Sequence, residues 1–158
     1  MKNTLIIVTD LEQLKAYRVD NDPLHSNPRL ELIDTFKTGA ARKLVEETTD
    51  LAGRFPRASV AHEIMGGMSA GERHNIELEK RKRCLRQLSR RINGLVKAPD
   101  VERCFLACSR EINNALLAEL DPEVRARIEI DVASDLTKVN RSDLLSHFKS
   151  ASRAGALA

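Results

Sequence analysis

Apolar residues are spaced along this chain in three different ways, and each spacing predicts a different kind of element. Residues 4–9 (TLIIVT) form an unbroken, β-branched run, which predicts a strand buried on both faces. Asp10 to Glu12 reads as a tight turn. Residues 14–19 (LKAYRV) alternate, with Leu14, Ala16 and Arg18 on one side and Lys15, Tyr17 and Val19 on the other. The two runs predict an antiparallel hairpin. Asn21, Asp22, Pro23, Asn27 and Pro28 punctuate the next loop. Residues 29–37 (RLELIDTFK) predict a third strand with Leu30, Leu32 and Ile33 inward.

The pattern then loses its period. Residues 40–53 suit a short helix with Ala41, Leu44, Val45 and Leu51 on its apolar face, and residues 54–71 mix Pro56, Ser59, Gly66, Gly67, Ser69 and Gly71. The stretch 39–71 reads as a long mobile loop, a feature that compact domains keep mainly for function. Glu72 to Val96 predicts the strongest helix. It has no Pro, and Leu78, Leu85, Leu88, Ile92 and Leu95 recur at helical steps to define one buried stripe. Ala98-Pro99-Asp100 stops it.

Residues 101–108 (VERCFLAC) predict a buried strand, after which Ser109 is placed to cap a helix carrying Ile112, Ala115, Leu116 and Leu120. Asp121-Pro122-Glu123 marks a further helical start. Ile128, Ile130 and Val132 alternate with Glu129 and Asp131 in a half-exposed strand. Asn140 heads a short closing helix with Leu144, Leu145 and Phe148 on its apolar side. The expected order is β-β-β-α-β-α-β-α. It implies an α/β fold with a single mixed sheet, ribonuclease-H-like, in one domain over residues 1–148. Residues 149–158 read as a flexible tail.

Composition narrows the function classes. The chain has 158 residues, enough for one domain with its own core. No apolar run approaches the roughly 20 residues of a membrane helix. The apolar stretch Leu5–Val8 is too short for a secretion signal, so a cytoplasmic protein with no membrane partner is expected. Aromatics are 3% and Trp is absent, which argues against a base-stacking platform or an aromatic carbohydrate surface. Cys84, Cys104 and Cys108 are an odd set with no CxxC, and read as small buried hydrophobes.

Charge changes the picture more. Arg73 to Lys97 carries nine Lys or Arg against Glu77 and Glu79, a segment charge of +7, while the rest has 17 basic and 21 acidic residues. A polyanion would be drawn to this one element. The alternative is a solvated face of good helix formers.

Other chemistry is sparse. His25, His62, His74 and His147 are scattered, and no Cys pair has zinc spacing, so no metal is expected. Gly66, Gly67 and Gly71 fit neither GxGxxG nor the P-loop, so no nucleotide cofactor is expected. Ser69 near His74 reads as a loop serine. Asp10, ending the first strand, and Asp135, following the last, are the candidates for a two-metal nuclease, with Asp10 also readable as a plain turn residue.

Two stretches resemble known families. The C-terminal half, with Leu120, Pro122 and Arg125 in an L-x-P-x-x-R turn and Asp135-Leu136-Thr137 before the closing helix, resembles the bacterial host-attachment protein family. The opening LIIVTDLEQLKAYRV resembles its first hairpin. The stretch GGMSAGERHNIELEKRKRCLRQLSRRI, Gly66 to Ile92, is similar to the central domain of archaeal and eukaryotic class-1 peptide release factors, where a Gly-Gly-Gln loop precedes a basic helix. Gly66 and Gly67 match the paired glycines, and Met68 stands in place of the Gln. A thioether offers no amide to organise a hydrolytic water. The resemblance therefore implies a non-catalytic factor with Gly66, Gly67 and Met68 as a loop tip. Lys80, Arg81, Arg83, Arg86, Arg90 and Arg91 would contact RNA phosphates, with the ribosome or tRNA as partner. A protein-interaction module acting indirectly on attachment or stress response is the alternative, and a metal-dependent nuclease is the third reading.

Overall fold

The computed structural model describes residues 4–20, 28–40 and 70–156. Their elements are β1 (Thr4–Thr9), β2 (Gln13–Asp20), β3 (Arg29–Lys37), α1 (Ala70–Val96), β4 (Arg103–Cys108), α2 (Asn113–Glu119), α3 (Pro122–Arg127), β5 (Ile128–Ala133) and α4 (Arg141–Ala156). They build one mixed five-stranded sheet in the order β3-β2-β1-β4-β5. β1, β2 and β3 form an antiparallel meander, while β1, β4 and β5 run parallel. This α/β order is compatible with a ribonuclease-H-like arrangement.

β1 lies at the centre and is buried along its whole length, as its unbroken apolar run requires. Its odd and even residues feed two cores. Leu5 and Ile7 join Leu14, Ala16, Leu106 and residues of α1, α2 and α3 on one face of the sheet. Ile6 and Val8 join Tyr17, Val19, Phe105, Leu144 and Phe148 on the other, under α4. Among the described residues, three helices therefore cover one face and one helix covers the opposite face.

Four details differ from the sequence expectation. β3 does not turn Leu30, Leu32 and Ile33 inward together. The β2–β3 register shifts between Ala16 and Tyr17, which pair with Asp34 and Leu32, so Ile33 is the extra residue of a bulge. The bulge swaps the strand's faces. Phe36 packs on the α1 side, Leu30 on the α4 side, and Leu32 and Ile33 are each 37% exposed.

The buried stripe of α1 begins late. Cys84, Leu85, Leu88, Ser89, Ile92 and Val96 are buried, but Leu78 is 40% exposed and residues 71–79 are exposed throughout. The reason is length. Twenty-seven residues of helix span about 40 Å, whereas six-residue strands span about 20 Å. Only the C-terminal half of α1 has a sheet to cover.

Between β4 and β5 the structure has two helices, as the further helical start at Asp121-Pro122-Glu123 predicts, although the expected element order counts one. Pro122 cannot continue α2, and Leu120 and Asp121 are extended, so the chain restarts as α3. Ser109 does not occupy the cap position of α2. That position is Ile112, and Ser109 instead offers its carbonyl oxygen to the Ile112 and Asn113 N–H groups. Finally, the tail expected to fray from Lys149 continues α4 to Ala156, with the Ser150 hydroxyl donating to the Ser146 carbonyl at 2.9 Å.

Candidate nucleic-acid interface

α1 has two opposed faces. The buried positions 85, 88, 92 and 96 hold it to the sheet, and positions 83, 86 and 90 fall on the far side. Arg83, Arg86 and Arg90 are exposed there and make no ion pair among the described residues. The carboxyl end of the helix is fastened from outside. Arg127 donates to the Val96 carbonyl at 2.8 Å, and Lys97 Nζ lies 2.6 Å from Asp121 Oδ2. A cation against the last carbonyls also opposes the helix dipole.

The other basic residues of the segment are engaged within the fold. Arg91 makes a bidentate pair with Asp34, both contacts at 2.7 Å, and its guanidinium lies 5.9 Å from the centre of the Phe36 ring. The hydrogen bond from Arg91 holds the Asp34 carboxyl below the usual carboxylate range, against the opposing effect of burial. Arg81 donates to the Glu111 carbonyl at 2.7 Å. Lys82 pairs with Glu79 at 3.5 Å. Lys80 is half-buried and is not free either. Gly66, Gly67 and Met68, the expected loop tip, lie outside the described residues, as does most of the stretch 39–71.

Asp34 was invisible as a partner in the sequence because it lies 57 positions from Arg91. The one available signal was its place in β3, where an apolar side chain would be expected on the face turned to α1.

The carboxylates considered for nuclease chemistry sit beyond the carboxyl ends of the parallel strands, but they serve local turns. Asp10 Oδ1 accepts the Glu12 and Gln13 N–H groups at 2.7 and 2.8 Å. Asp135 Oδ1 accepts the Thr137 N–H at 3.0 Å and the Thr137 hydroxyl at 2.6 Å. The single hydroxyl proton is directed to Asp135, and Asp10 Oδ2 stands 3.4 Å from the same oxygen. Lys15 Nζ donates to the Thr137 carbonyl at 2.9 Å, tying the β5–α4 connection across the end of β1 and β2. The sequence offers Lys15 only as a position in the β2 alternation and Thr137 only as part of the Asp135-Leu136-Thr137 signature, with nothing to join them. Among the described residues, no three His, Cys, Asp or Glu side chains are gathered where they could hold a metal ion.

Cys84, Cys104 and Cys108 are free and buried. Burial pushes the Cys104 and Cys108 thiols up to about 12, and Asp131, Asp10 and Asp135 add to the effect at Cys108. Neither thiol is a nucleophile near neutral pH. No described helix is long and apolar enough to cross a membrane.

The fold and this surface define a small α/β domain with an arginine ridge on one helix. The chain belongs to the family of proteins required for attachment to host cells, whose pattern matches residues 5–148. Comparison with curated proteins gave no match. Among solved structures, the chain is similar to the Aquifex aeolicus Ppx/GppA phosphatase, type II variant, at 11% identity and a TM-score of 0.43. That likeness covers 85% of this chain and 36% of the phosphatase, so the chain spans about a third of that protein's length.

Proposed function

We propose that this host-attachment family protein is a non-catalytic factor that binds ribosomal RNA or tRNA through the outward face of α1. The observation that supports the reading is the ridge of Arg83, Arg86 and Arg90, exposed and without a carboxylate partner among the described residues. Three guanidiniums on one rigid helix face suit phosphate oxygens, which arginine takes in bidentate geometry. Arg81, Arg91 and Lys80 are already engaged, so the proposed contact set narrows to the three ridge residues. Contacts of this kind give affinity and orientation, and leave sequence choice to other groups.

The variant Arg83→Glu/Arg86→Glu/Arg90→Glu tests the reading by co-sedimentation with purified ribosomes. Loss of co-sedimentation with an unchanged unfolding midpoint is expected. Retention of wild-type binding by this variant would remove the ridge from the interface.

A protein-binding role has its own observation. Ile76 and Leu78, each 40% exposed, lie on the half of α1 that extends past the sheet. A partner captured equally well with and without nuclease, and lost on Ile76→Ser/Leu78→Ser substitution, would favour that reading over RNA.

A further inference from the structure

The face of the sheet opposite α1 carries a cleft of about 310 Å³ between β4, β5 and the second half of α4. Phe105, Ile130 and Leu145 supply its apolar wall, and Phe105 is braced from behind by Phe148, with ring centres 5.7 Å apart. Lys149 and Arg153 stand on its helical rim. On the strand side, Arg103 forms a two-pronged pair with Glu129, so that cation is already neutralised.

Lys149 and Arg153 have no carboxylate partner among the described residues. They lie four residues apart on one helix, a spacing at which like charges repel and weaken the helix. Two unneutralised cations are thus gathered beside an apolar wall. An apolar ligand would leave that repulsion in place, and a plain inorganic anion would leave the wall wet. A ligand that is both apolar and anionic relieves the first and covers the second.

We infer that this cleft binds a small amphipathic carboxylate, an acyl or aryl acid whose body lies against Phe105, Ile130 and Leu145 and whose carboxylate lies between Lys149 and Arg153. Size fits the class. At about 30 Å³ per water-sized atom, the cleft accommodates about ten non-hydrogen atoms, the size of an eight-carbon acid. The site lies across the sheet from the arginine ridge, so it stands or falls independently of the RNA reading.

Octanoate is the probe, with octan-1-ol as the uncharged control of equal chain length. Binding is read from the methyl resonances of Ile130 and Leu145 in the whole chain. Octanoate should shift both saturably, with a dissociation constant of about a few millimolar for a ligand of this size. Octan-1-ol should bind about tenfold more weakly, because it forgoes charge-assisted hydrogen bonds. The variant Lys149→Met/Arg153→Met keeps the apolar stems and should erase the preference for the acid. Ser152→Phe, which places a ring in the cleft, should abolish binding of both probes. Equal affinity for acid and alcohol, undiminished octanoate binding by the double variant, or the absence of saturable shifts at either methyl would overturn the assignment.

Discussion

At the scale of single residues, the Arg91–Asp34 pair is a polar contact that ties α1 to the edge of the sheet. The Asp34 side chain is 15% exposed and Arg91 is 47% exposed, so the pair is stronger than a surface bridge but still screened. Asp34→Asn should cost about 1 kcal/mol of stability, read from urea unfolding at neutral pH. The pH dependence follows from the lowered carboxyl. Its stabilisation is present above the ordinary carboxylate value of 3.8 and is lost as pH falls through the lower folded-state value. The Asn variant should therefore lose less stability than the wild type on acidification below about pH 4.

The buried thiols act in the opposite direction. Their folded-state values stand near 12 against 9.0 for an ordinary thiol, so above pH 9 the unfolded chain gives up protons that the native chain keeps. Stability contributed by each neutral thiol is complete below pH 9 and is lost between pH 9 and 12, at up to about 1.4 kcal/mol per pH unit. Cys104→Ala should flatten that alkaline slope while lowering stability at neutral pH through the lost volume. An unchanged slope would remove Cys104 as its source.

At the scale of elements, two glycines separate local preference from tertiary demand. Gly94 lies inside α1, and a methyl group there would meet nothing within 4 Å. Gly94→Ala should stabilise the protein by about 0.5–1 kcal/mol, seen as a higher melting temperature. Gly39 also has open space, but its φ is +78°, so Gly39→Ala should destabilise by about 1–2 kcal/mol. The same contrast explains what was legible in the sequence. β1 falls where the run TLIIVT puts it, because burial on the sheet is written in local apolar spacing, and β3 spans RLELIDTFK as an edge strand with no fully buried residue. The bulge at Ile33 was not legible, since it depends on how β2 and β3 align rather than on either alone. Nor was the exposure of Leu78, because periodicity marks a helix face without saying how far the sheet beneath it extends. α4 outlasts its apolar stripe because Arg and Ala sustain a helix already docked at Leu144 and Phe148.

At the scale of the whole molecule, the two sides of the sheet have different characters. One carries α1, α2 and α3, with the arginine ridge facing away from the core. The other carries α4 and the cleft. The segment charge of +7 was legible in the sequence, but how it divides was not. Arg81 is held by the Glu111 backbone carbonyl and Arg91 by the Asp34 carboxylate, both distant in sequence, and this leaves Arg83, Arg86 and Arg90 outward. The family match over residues 5–148 agrees with the C-terminal L-x-P-x-x-R and DLT signature, whereas the release-factor likeness rests on a stretch whose paired glycines, Gly66 and Gly67, lie outside the described residues.

The most direct test of the account is the salt dependence of ribosome binding, compared between the wild type and Arg83→Gln/Arg86→Gln/Arg90→Gln. Each duplex phosphate neutralised contributes about 0.9 to the slope of log affinity against log salt, so the variant should lose about 2.7. A wild-type slope near zero, or a variant with the wild-type slope, would contradict the assignment of the ridge to RNA.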